Sequence, residues 1–144
     1  MNAKLTETLA LLGILSPQTV ANTETFSGVV DMKKCHQALV VAALGNMASE
    51  TIDVKVYTCN SDGSSAAALV SATQLAASSS ANDNTQILAN VRASDLIASG
   101  KQYIKVGVVT GGSTGGPVAV AILGQLRQGQ ATNNDLSSVA EIIG

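Results

Sequence analysis

The chain has 144 residues, two cysteines, a net charge of −2 and an isoelectric point near 5.1. Charged residues make up 12 % and aromatic residues 2 %, the first about half the roughly 25 % of an average globular domain. The length suits one domain with one core. The acidic balance and scattered basic residues argue against a nucleic-acid binder, and no apolar run approaches the roughly 18 residues of a membrane span. Ala, Ser, Thr, Gly and Asn fill the place of the missing charge. A surface so poor in charge is weakly protected against association, so much of it is expected to be covered by another protein.

Residues 1–25 read as an N-terminal arm. Leu5, Leu9, Leu12 and Ile14 or Leu15 fall on one helical stripe, and Gly13 and Pro17 hold any helix to two or three turns. Lys4 followed by the apolar run Leu9–Leu15 is a faint shadow of a secretory signal. Glu7 stands where positive charge belongs and no A-x-A follows, so the segment reads as mature protein, made and kept in a reducing cytosol. A narrow apolar stripe with no core of its own must dock on the end of its domain or on a neighbouring subunit.

Strand patterning starts at Phe26, and residues 26–128 read as one all-β domain, an antiparallel sandwich of jelly-roll or Greek-key type. "TFSGVVDM" is a short strand and "CHQALVVAAL" a buried one; "TIDVKVYTC" alternates with Ile52, Val54 and Val56 inward. Asp62-Gly63 supplies a turn. Residues 64–84 are low-complexity Ala/Ser, a long loop with one weak strand around Leu69–Leu75. "NTQILANVR" is a strand, and "ASDLIASG" a single helical turn over 94–99, with Ser94 as N-cap and Gly100 as its stop. The last hairpin is "QYIKVGVV" and "PVAVAILGQL". Residues 129–144 form a tail, polar and then apolar at Leu136, Val139, Ile142 and Ile143, as a short amphipathic helix or second arm.

Between the last two strands, Gly111 and Gly116 have the spacing of half a phosphate-binding loop. That chemistry needs Lys and then Ser or Thr next, and Pro117 and Val118 follow instead. A turn is the better reading. His36 is the only histidine, so neither a zinc set nor a catalytic triad assembles around it, and no G-x-S-x-G is present. "SDGSS" has one acid, too few for a calcium loop. Three aromatics supply a carbohydrate platform poorly. The chain is expected to be non-enzymatic, without cofactor or metal.

The stretches "GVVDMKKCHQALVVAALG" and "GKQYIKVGVVTGG…PVAVAILGQLRQG", in the order in which they stand, resemble small structural proteins of tailed bacteriophages, the capsid decoration or cement proteins. The resemblance implies a β-sandwich virion protein, assembled in the host cytoplasm and held on the outer capsid surface. Its partners would be the major capsid protein and its own copies, as a homotrimer gripping neighbours by terminal arms. The arm contacts would be Leu5, Leu9, Leu12, Ile14, Leu15, Leu136, Val139, Ile142 and Ile143. The alternative is a virion binding module, either a head–tail joining protein or an adhesin.

One register is also expected. If Cys35–Ala43 and Thr51–Cys59 form a hairpin with Val40 opposite Val54, then Cys35 lies opposite Cys59, within disulfide reach.

Overall fold

The computed structural model describes residues 4–47, 50–71, 83–127 and 137–141. An exposed helical turn, α1 (Leu5–Thr8), leads into β1 (Leu9–Val20), β2 (Thr25–Phe26), β3 (Val30–Asp31), β4 (Cys35–Leu44), β5 (Ile52–Cys59), β6 (Ala67–Ser71), β7 (Gln86–Arg92), β8 (Tyr103–Thr110) and β9 (Gly116–Leu126). The strands form two antiparallel sheets, one in the order β1-β9-β4-β7 and one in the order β2-β8-β5-β6, with β3 also on β8. Every connection except β2–β3 and β5–β6 changes sheet. With β2 and β3 counted as one interrupted strand, this is the jelly-roll order.

The core is aliphatic. Val40, Ala42, Val120 and Ile122 from the four-stranded sheet meet Val54, Val56, Ile104, Val106 and Val108 from the other. Met32, Met47 and Leu96 close its margins. Buried polar groups serve as ties: the Ser27 hydroxyl accepts from the Val106 N–H at 2.9 Å, and the Thr110 hydroxyl donates to the Val20 carbonyl at 3.0 Å.

The N-terminal segment is not the helical arm the apolar stripe suggested. Leu9–Val20 is strand, paired along β9, with Ala10, Leu15 and Val20 buried. Gly13 and Pro17, read above as helix limits, sit where the β1–β9 register shifts, between Leu11 and Gly13 and between Leu15 and Gln18. Bulges on an edge strand accommodate both residue types.

Two expected hairpins are absent. β4 pairs with β7 and β9, and β5 with β6 and β8, so Cys35 is opposite Leu126 and Cys59 opposite Tyr103, in different sheets. Both cysteines are buried free thiols. The glycine-rich segment likewise carries the chain from β8 in one sheet to β9 in the other. Residues 45–51 and 111–115 are each long enough to span the roughly 10 Å between packed sheets. Gly/Asn/Ser composition marks a reversal and does not say whether the chain stays in its sheet.

Smaller departures are local. "TFSGVVDM" splits into β2 and β3. The helical turn is a 3-10 helix over Ala93–Ser99, capped by Arg92 rather than Ser94, with the Arg92 N–H donating to the Asp95 carboxylate at 2.8 Å. Gly100 ends it at φ 66° and Gly63 turns at φ 79°. The weak strand is Ala67–Ser71; its expected continuation, and most of the 129–144 tail, lie outside the described residues.

Candidate functional site: the outer face of the four-stranded sheet

The glycine-rich segment binds an anion, and the anion belongs to the protein. The Glu50 carboxylate accepts from the Thr114 N–H at 3.0 Å and the Gly115 N–H at 2.8 Å. Gly115 has φ 68°, and a Cβ there would collide with the Val20 backbone. The loop is therefore a crossover clamped by Glu50. Among the described residues, no group of three His, Cys, Asp or Glu gathers, and no helix is long and apolar enough to cross a membrane. His36 is exposed at the start of β4.

The outer face of the five-stranded sheet mixes polar and apolar side chains, and several of its polar groups are bonded locally. All three aromatic residues of the chain lie on it. Phe26 and Tyr57 meet edge to face, with ring centroids 5.8 Å apart, and the Lys105 ammonium sits 3.9 Å from the Phe26 ring centre. The Tyr57 hydroxyl donates to Glu24 at 2.7 Å. Burial, then this bond, pushes the Tyr57 pKa up to about 12. Both rings close over Gly107, where any Cβ would overlap them. Lys105 also donates to the Gly63 carbonyl at 2.9 Å, and Lys101 donates to that of Ser65. Beside them is an open recess of about 570 Å³ lined by Asn60, Asp62, Lys101, Gln102 and Tyr103. The Asn60 amide donates to the Ser64 hydroxyl at 3.0 Å, and the Asp62 carboxylate accepts from the Ser64 N–H at 2.9 Å. These side chains thus already hold the 60–65 loop.

The outer face of the four-stranded sheet is different in kind. The strand registers align its outward residues in rows across all four strands. One row is Leu11, Leu123, Leu39 and Asn90; the next is Ile14, Ala121, Val41 and Leu88. Flanking rows carry Ala119, Ala43 and Gln86 on one side, and Leu9, Gln125, Gln37 and Arg92 on the other. Gln37 donates to Gln125 across strands at 2.8 Å. At one end, Pro17, Ala43, Pro117 and Ala119 border an apolar hollow of about 210 Å³. Within these four rows the single charge is Arg92, at the sheet's margin. Antiparallel sheets with one solvated face alternate apolar and polar along each strand; over 38–44 and 117–123, β4 and β9 are apolar on both parities.

The arm residues named from sequence scatter accordingly. Leu9 and Ile14 lie on this outer face, Leu15 is in the core and Leu12 packs against it; Leu5 stands exposed on α1. Val139 is half-buried after a turn; Leu136, Ile142 and Ile143 fall outside the described residues. Sequence reasoning missed Leu39, Val41, Leu88, Ala121 and Leu123. Their signal was the continuous apolar character of "CHQALVVAAL" and "PVAVAILGQL".

The sequence matches no protein-family model and no curated protein. Among solved structures it is similar to a protein of Bacillus endospore appendages, a family of disulfide-linked pili: 11 % identity over 88 % of this chain and 97 % of that one, TM-score 0.48. It is similar to the xylan-binding module CBM15, at 11 % identity over 90 % and 97 % of the two chains, TM-score 0.40. The third is a chain of the T13 infectious bursal disease virus particle: 13 % identity over 84 % of this chain and 36 % of that one, TM-score 0.36. At these values the likenesses carry no conclusion about this chain.

Proposed function

We propose that this protein is a non-enzymatic structural component of a virus particle, a capsid decoration protein that lays the outer face of its four-stranded sheet on the shell. The observation that carries the reading is that face: one row apolar across four strands, a second apolar across three and ending in Asn90, and one charge at the margin. A neutral apolar face meets protein without stranding an unpaired charge. The sequence resemblance to phage decoration proteins supports the choice of a shell as partner.

The test is co-sedimentation of the purified protein with undecorated shells. Saturable binding is expected, and Val41→Lys, which puts a charge in the middle of the face, is expected to abolish it while the thermal transition is kept. No binding by the natural chain, or equal binding by Val41→Lys, would overturn the reading. A second reading, a virion adhesin, draws on the polar recess beside Tyr103; a specific, saturable hit on a glycan array, lost in Gln102→Ala, would favour it.

A further inference from the structure

The edges of the two sheets are not alike. β1 carries Pro17, Gly13 and two register shifts; β2 and β3 have two residues each; β6 has five residues and a register shift. Short, bulged or proline-bearing edges resist pairing with another chain. β7 has none of these devices. Its seven residues, QILANVR, pair with β4 without interruption, and no strand among the described residues lies on its other side. It contains no Lys, Pro or Gly, and Leu88 on it is 63 % exposed.

We infer that β7 pairs antiparallel with β7 of a second copy about a two-fold axis at Ala89, joining two four-stranded sheets into one. This register sets all seven residues opposite a partner, Ala89 with Ala89, Leu88 with Asn90, Ile87 with Val91 and Gln86 with Arg92, while the Arg92 N–H stays on the Asp95 carboxylate and outside the ladder. Outward residues meet outward residues, so the faces are preserved. The two Leu88 side chains become diagonal neighbours about 7–8 Å apart at the backbone, within mutual reach. Charge selects the antiparallel sense. Arg92, the only charged residue of the strand, faces Gln86 of the other copy at either end, whereas a parallel pair would set Arg92 beside Arg92.

Area gives the pairing a purpose, and this step rests on the shell-binding reading. Four strands of this length present roughly 500 Å² in projection, below the roughly 800 Å² per partner of a stable one-to-one complex. Two coplanar faces joined at β7 double it to about 1,000 Å² without a new kind of contact.

The experiment is oxidative trapping of full-length Ala89→Cys, read by mass spectrometry, with sedimentation of the natural chain at high concentration. A disulfide joining position 89 of one copy to position 89 of the other, and a dimeric mass, are expected, since directly opposed residues lie within disulfide reach. Leu88→Lys, at an exposed position, places two ammonium groups across the axis. It should weaken dimer formation roughly tenfold or more, with recovery at high salt; Ile97→Lys, exposed but off the strand, should not. A monomer throughout, a trimer, or a Leu88→Lys chain that dimerises normally would overturn the proposal. Val41→Lys, combined with Ala89→Cys, separates the two readings: it should lose the shell and keep the intermolecular disulfide.

Discussion

Deleting residues 1–20 should abolish cooperative folding. The deletion removes β1, and with it Leu15 and Val20, which are 5 % and 1 % exposed. Burial of each is worth roughly 1.5–3 kcal/mol, together about 3–6 kcal/mol, against a total stability of about 5–15 kcal/mol for a domain. The deletion also strips the Thr110 hydroxyl of the Val20 carbonyl and the Gly28 N–H of the Ile14 carbonyl, and exposes β9 as a raw edge. Removal of residues 1–8 alone should shift the midpoint little, because α1 buries nothing. Between the two, Leu15→Ala should cost about 2–5 kcal/mol, a fall of about 5–15 °C for a chain near this size. The assay is thermal unfolding by circular dichroism or calorimetry. A chain lacking residues 1–20 that melts cooperatively near the natural midpoint would refute the assignment of β1 to the core and restore the arm.

Glu50→Ala should lower stability by about 1–3 kcal/mol, the scale of charge-assisted bonds to the Thr114 and Gly115 N–H groups; an unchanged denaturant midpoint would refute the clamp. Tyr57 should ionise only near pH 12, as a late phenolate absorbance step that Tyr57→Phe removes. Because its folded pKa is raised, its contribution is complete below the ordinary value of 10 and fades as pH climbs from there toward about 12. Burial also raises both thiols, Cys35 and Cys59, above 9.0, so native alkylation should be slow and stability should decline as pH rises above that value. Mild oxidation of the native chain should yield no 35–59 link; finding one would contradict the placement of the two cysteines in separate sheets.

The sandwich was legible because strand period survives any topology. Val118, Val120 and Ile122 alternate with Ala119, Ala121 and Leu123 in the sequence itself, and β5 announces its inward face by Asp53, Lys55 and Tyr57 on the other. Which strands are neighbours was not legible. β4 and β5 look like a hairpin because their apolar parities match, and every strand facing one shared core has matching parity. Nor did local pattern separate the Leu9–Leu15 run as helix from the same run as bulged strand. Leu5, Leu9 and Leu12 have helical spacing, and only the presence of β9 to pair with decides against it.

The sequence also held the apolar outer face, in a form that strand period alone does not reveal. A strand apolar on both parities signals cover on both sides, and in a two-layer sandwich only one side is covered by the partner sheet. On the five-stranded sheet, the polar handles have local uses: Lys105 on the Phe26 ring and the Gly63 carbonyl, Tyr57 on Glu24, Lys101 on Ser65. On the four-stranded sheet, Leu39, Val41, Ala121 and Leu123 remain half-buried beside an exposed Leu88, and a glutamine pair links strands across the face. Folding leaves that face uncovered, and the association proposed above is the step that would complete it.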